Sequence, residues 1–185
     1  MALDLLQRGI TDARCAAMRT IARVGNAEDI PVLIEALSDS DPYGVVRDAV
    51  EALGRLRAKD AVPELIRTLD HPEEWIALRA AYALGAIGDE SAAPALESKL
   101  SPGNPRHVIN AAVEALGRLR AKDAVPALIR TLDHPEVWTA VNAARALAAI
   151  GDKSAIPALQ AKLSADNRLL VDAATEALKG LGDRG

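Results

Sequence analysis

EALGRLRAKDAVP fills residues 51–63 and returns letter for letter at residues 114–126, 63 positions on. The match widens on both sides: residues 49–75 and 112–138 agree at 25 of 27 positions, differing at Glu64/Ala127 and Glu74/Val137. Residues 80–100 and 143–163 agree at 15 of 21. Catalytic groups are not usually supplied as near-identical copies so far apart, whereas stacked structural units are. Five prolines give the spacing of those units: Pro31, Pro63, Pro94, Pro126 and Pro157, separated by 32, 31, 32 and 31 residues.

Each proline stands in one frame, as in "AVPELIRTL" and "AIPALQAKL". A second frame alternates with it: "AVEALGRLR" (49–57 and 112–120), "AAYALGAIG" (80–88), "AARALAAIG" (143–151) and "ATEALKGLG" (174–182), with a weaker opening copy "AMRTIARVG" (17–25). Both frames predict helices. In the second, Ala80, Leu84 and Ile87 recur at i, i+4 and i+7, one helical face. In the first, Val62, Leu65, Ile66 and Leu69 make the apolar stripe, Asp60 is the expected N-cap, and Pro63 falls in the first turn, where its missing N–H costs nothing. The unit is a proline helix A, a turn, and an alanine-rich helix B. Pairs are expected at 27–56, 59–87, 90–119, 122–150 and 153–181, with an incomplete leading pair at 3–24, all within one domain, 1–185. The turns "SDSDPYG" and "SPGNPRH" are longer than "DHPEE" and "DHPEV", so long and short repeats alternate and the true period is 63.

Several positions follow from this register. Val62, Leu65, Leu69, Leu84, Ile87, Leu96, Leu116, Leu128 and Leu147 should be buried. Gly54, Gly85 and Gly117 should let a neighbouring helix come close. Gly25, Gly88, Gly151 and Gly182 should end B helices in the left-handed conformation. Arg57 and Arg120 hold that same place, so those two turns either carry about 1 kcal/mol of strain or take another geometry.

Composition agrees with many short helices in contact. Half of the chain is apolar, yet only 2 % is aromatic and Phe is absent, so Ala, Leu, Val and Ile must fill the core. A net charge of −4 argues against a dedicated nucleic-acid binder. The lone cysteine, Cys15, excludes an intrachain disulfide and fits a reducing compartment. No signal-peptide pattern and no apolar run near membrane length is found. The expectation is a cytoplasmic chain that does not engage a membrane.

"AAPALESKL", "AAVEALGRLR" and "ARALAAIGDKSAIPALQAKL" resemble HEAT repeats, and most closely the short HEAT-like repeats of phycobilin lyases. The resemblance covers essentially the whole chain. It implies an all-α, right-handed α-solenoid of about six A/B pairs, with B helices lining a concave face. Such repeats occur in phycobilin lyases, in assembly factors and in engineered binders. The Val-Arg that commonly opens helix B is kept only at Val46-Arg47. The iron-binding His-Glu pairs of another HEAT family, deoxyhypusine hydroxylase, are missing.

On that concave face the register places Glu51, Arg55, Trp75, Tyr82, His107, Glu114, Arg118, Trp138 and Arg145. Aromatic rings and arginine are what interface hot spots use. Each Trp either lies on this surface or plugs the apolar seam at an A-to-B turn. The "RLRAK" turns at 55–59 and 118–122 read as solvated cations at helix C-termini, His71 and His134 as turn-capping imidazoles, and Cys15 as a buried thiol. No Ser-His-Asp grouping, metal-ligand cluster or phosphate-binding loop is found, so no catalytic residue, metal or cofactor is expected. The leading reading is a non-catalytic scaffold that binds another protein or peptide. The alternatives are a phycobilin lyase-like subunit or chaperone handling a bilin, and an engineered scaffold without a ligand. At the ends, Leu3, Leu5 and Leu6 should cover the first repeat, and an apolar strip with Leu170 or Leu181 should allow end-to-end self-association through the C-terminal helix.

Overall fold

The structure, a computed structural model, describes residues 2–37 and 43–182, with side chains described from residue 12 onward. All regular structure among these residues is helical. The chain divides into two compact units, Met1–Ile87 and Gly88–Gly185.

The first unit holds α1 (Ala2–Val24), α2 (Ile30–Glu35), α3 (Tyr43–Leu56), α4 (Val62–Thr68) and α5 (Glu74–Ile87). The B helices α1, α3 and α5 pack side by side, while α2 lies on α3 and α4 on α5. The second unit holds α6 (Ala93–Ser98), α7 (Arg106–Leu119), α8 (Val125–Thr131), α9 (Val137–Ile150), α10 (Ile156–Ala161) and α11 (Arg168–Gly182). Here α7, α9 and α11 form the B layer, covered by α6, α8 and α10 in turn. The fold class is the expected one, all-α with repeated A/B helix pairs, and in each unit the A helices lie on the B helices.

The helix starts explain why proline recurs. Each A helix opens from a 3-10 turn, with its proline in the first turn. The side-chain cap, however, does not come from the position of Asp60. It comes from the residue five before each proline: Asn26 accepts from Glu28 N, Asp89 from Ser91 N and Asp152 from Ser154 N. Asp60 lies within the 3-10 turn, and Ala58 and Ala121, at the capping place, offer no side-chain acceptor. Aspartate and asparagine suit that place because their short side chains fold back onto an N–H two residues on.

The B helices end as the repeat pattern requires, with two exceptions. Gly88 and Gly151 are left-handed, at φ 78° and 81°. Arg57 and Arg120 take the same conformation, at φ 51° and 52°, so these turns carry the strain of a side chain in the left-handed region. A closing bond from the next residue offsets it: Ala58 N donates to Leu53 O and Ala121 N to Leu116 O. Gly25 is not left-handed, and Gly182 is the last residue of α11.

The nine core positions read from the sequence are all buried. Helices come close where glycine permits. A Cβ at Gly54 would stand 3.0 Å from Ala83 Cα, and one at Gly117 3.0 Å from Ala146 Cα. Three expectations need correction. The leading segment is not a short helix and a second one, because α1 runs unbroken to Val24 with no proline to stop it. Leu170 and Leu181 form no apolar strip. With Ala173, Ala174 and Ala177 they make the buried stripe of α11, at 8 % and 1 % exposure, on the side that meets α9 and α10. The self-association argued from them therefore loses its basis. Leu3, Leu5 and Leu6 lie outside the residues whose side chains are described. No helix among the described residues is long and apolar enough to cross a membrane.

Candidate binding surface on the B helices

The outward stripe of each B helix holds the residues that the register places there. Eight of the nine are exposed, and His107 is half-buried. Trp75 and Trp138 are each 57 % exposed, so neither plugs the seam. Tyr82 stands two turns along α5 from Trp75 and is 36 % exposed.

In the first unit the charges of this stripe are engaged. Arg79 Nη1 on α5 reaches Glu51 Oε2 on α3 at 3.2 Å. Arg55 turns to the end of α1, donating from Nε to Ala22 O at 2.9 Å and from Nη2 to Gly25 O at 3.0 Å. It satisfies carbonyls that a helix C-terminus leaves open, and its charge favours the negative end of the helix dipole. Nearer the start of α3, Arg47 binds the buried Asp48 at 2.6 Å and lies over the Tyr43 ring, 6.0 Å from its centre. The Asp48 carboxylate holds the Arg47 guanidinium above its ordinary pKa. Arg47 therefore pairs along its own helix.

In the second unit the same stripe is arranged otherwise. Glu114 pairs along α7 with Arg118 at 2.6 Å. Asn142 Nδ2 on α9 donates to Asn110 Oδ1 on α7 at 3.3 Å. Arg106 stands 3.8 Å from Glu136. Between α7 and α9 runs a groove of about 420 Å³ lined by Glu114, Gly117, Arg118, Asn142, Arg145, Ala146 and Ala149. Its floor is shallow in side-chain terms because Gly117 and two alanines make it. Arg145 lines one wall and finds no hydrogen bond or ion pair among the described residues.

The turns behave as capping elements. His71 Nδ1 accepts from Glu73 N at 3.0 Å and His134 Nδ1 from Glu136 N at 3.1 Å. Cys15 is half-buried, not buried, beside Gly44 of α3. Asn110, Asn142 and Arg79 were missed by the sequence reading, which singled out Arg47 only as part of the kept Val46-Arg47. Aligning the chain with itself at an offset of 63 would have raised them, since Arg47 faces Asn110 and Arg79 faces Asn142 in that alignment.

Known proteins agree with this architecture. The family model for HEAT repeats matches residues 2–58, 44–116 and 98–179. The chain belongs to the HEAT-repeat family. Among its relatives, this HEAT-repeat chain is 33 % identical over 164 residues to phycocyanobilin lyase subunit alpha of Nostoc sp. strain PCC 7120, covering 80 % of the chain and 59 % of the relative. The subunit of the same name from Picosynechococcus sp. strain PCC 7002 is 32 % identical over 142 residues, covering 68 % and 53 %. The chain thus spans little more than half the length of these curated relatives. In structure it resembles the complex of CpcE and CpcF of phycocyanin lyase from Nostoc sp. PCC7120, with a TM-score of 0.72, 31 % identity and coverage of 83 % of the chain and 65 % of that one. An engineered protein at 22 % identity, TM-score 0.65, covering 95 % and 92 %, shares the fold alone.

These relatives overturn the expectation that the chain has no enzymatic role, because they are named as lyase subunits. They support the lyase-like alternative over the non-catalytic scaffold. The lack of a complete catalytic constellation in one chain says little where the relatives are named as subunits.

Proposed function

We propose that the chain is a phycobilin lyase-like subunit that handles a bilin and works together with a second protein chain. The observation that carries the reading is that each unit exposes rings and arginines on its B helices: Trp75, Tyr82 and Arg55 in the first, Trp138 and Arg145 in the second. A bilin is a flat conjugated molecule with carboxylate arms. Aromatic faces stack on its rings, and guanidinium groups pair with its carboxylates. The binding residues in this reading are Glu51, Arg55, Trp75 and Tyr82 in the first unit and His107, Glu114, Arg118, Trp138 and Arg145 in the second, with Arg55 already positioned by the end of α1. Similarity to the lyase subunits of Nostoc and Picosynechococcus supports the chemistry, and the two-protein complex among the structural neighbours supports a partner.

The test is reconstitution. The full chain is incubated with phycocyanobilin and an apo-phycocyanin subunit, with and without a second HEAT-repeat lyase subunit. Pigment that survives denaturation is read by its fluorescence in zinc. Attachment above background only when both chains are present is the expected result, with tryptophan fluorescence quenched on bilin addition. No quenching and no gain in attachment would retire the reading.

A further inference from the structure

The two units share the stretch EALGRLRAKDAVP, yet in the second, among the described residues, a cation stands uncommitted in a groove. Arg145 stands where the first unit has Tyr82, and Asn142 where it has Arg79. The consequences are visible in the pairing. Arg79 is held by Glu51, and Arg55 by the end of α1, so the arginines of the first-unit stripe are engaged. In the second unit Glu114 neutralises Arg118, and Arg145 is left as the net positive charge of a groove of about 420 Å³. Asn142, one turn before Arg145, is oriented by its bond to Asn110. An asparagine amide has two N–H donors, and that bond uses one.

We propose that the groove between α7 and α9 is a carboxylate-binding subsite, with Arg145 as the charged anchor, the second Asn142 N–H as the orienting donor and Arg118 as a guanidinium released when a ligand carboxylate displaces Glu114. The inference rests on the bilin-handling reading and names what it recognises: the carboxylate arm, not the conjugated rings. A planar guanidinium fork meets a carboxylate through two parallel hydrogen bonds, which fixes direction as well as affinity. The floor of Gly117 and Ala146, where α7 and α9 touch, carries no long side chain to stand in the way of that arm. Trp138, two turns before Arg145 on α9, is exposed for the rings.

The experiment titrates the full chain with biliverdin and with biliverdin dimethyl ester, read by pigment absorbance and tryptophan quenching. Wild type should bind the acid about tenfold more tightly than the ester, as loss of a charge-assisted pair implies. Arg145→Gln should remove that preference, and Glu114→Gln should strengthen it. Arg130→Gln, on α8 and away from the groove, should change neither, and circular dichroism should show all variants folded. If acid and ester bind alike, or Arg145→Gln binds the acid as wild type does, the subsite is overturned while bilin handling stands. If neither pigment binds, both the subsite's ligand and the function above are overturned. A fluorescein-labelled hexaglutamate peptide is the third arm. Binding of that peptide without any binding of pigment would assign the groove to an acidic protein segment and overturn the proposal in its stated form.

Discussion

Residues 51–57 and 114–120 spell the same heptapeptide, EALGRLR, and the two copies use it differently. Inside, they are equal: Leu53 and Leu116 are both fully buried, and a Cβ at Gly54 or Gly117 would meet an alanine Cα at 3.0 Å. Outside, they part. Glu51 crosses to Arg79 on the next B helix, whereas Glu114 stays on its own helix with Arg118. Arg55 closes the end of α1. The glutamate's choice follows from its neighbour: the first unit offers a cation, Arg79, and the second offers an amide, Asn142. A repeat thus fixes its core by its own residues and its surface by the residues beside it.

The largest test of that distinction lies in the core. Leu53→Ala and Leu116→Ala should each cost about 2–5 kcal/mol, because both remove fully buried side chains with little room to relax. The two costs should agree in urea unfolding. A gap of more than about 1 kcal/mol would mean that the copies are not equivalent inside.

The glycines come next. Alanine at Gly54 or Gly117 would improve helix propensity by about 1 kcal/mol, but the new methyl would press on a backbone that cannot swing away. Overpacking of this kind costs about 1–3 kcal/mol, so a net loss is expected at both sites. A rise in Tm for either variant would show that the helices separate freely, and close approach would no longer explain the glycine.

Most of this interior was legible in the sequence. Prolines at a fixed spacing and leucines at helical spacing report burial directly, which is why Val62, Leu84 and Leu147 fall inside. What was not legible depends on partners far along the chain. Nothing in EALGRLR says that Arg55 meets Ala22 or that Arg118 meets Glu114. The cap at Asp152 is not legible from the helix pattern, because a 3-10 turn precedes each A helix and moves the capping place two residues before the Asp60 position. Leu170 and Leu181 were misplaced because an apolar helix face says that it will be covered, not by which neighbour. The stripe of the candidate surface could be read from the register. That Arg145 stays uncommitted among the described residues could not.

The arginines should separate the copies where the leucines do not. Arg55→Ala removes three charge-assisted hydrogen bonds to the end of α1 and should cost about 1–2 kcal/mol. Arg118→Ala breaks an exposed i,i+4 pair and should cost under about 0.5 kcal/mol. Equal costs in the same unfolding assay would mean that the α1 cap contributes nothing, and the contrast between the two surfaces would lose its energetic content.

The smallest effect belongs to the turns, where Asp152 caps and Ala121, its counterpart one repeat earlier, cannot. The Ser154 backbone N–H, helped by the Ser154 side chain, holds the Asp152 carboxyl below the ordinary aspartate range. A carboxyl whose pKa is lowered on folding contributes stability above its unfolded pKa and loses it as the pH falls through the folded value. The cap should therefore persist somewhat below the pH at which a peptide aspartate is half-protonated. Carboxyl chemical shifts followed by NMR against pH would read the midpoint at Asp152 directly. Replacing Ser154 with proline removes the donating N–H and should return that midpoint to the peptide range, whereas Ala124→Ser, in the uncapped turn, should leave it unmoved. A midpoint at or above the peptide value in the wild-type chain would show that the bond from Ser154 does not form in solution, and the capped and uncapped turns would then be alike.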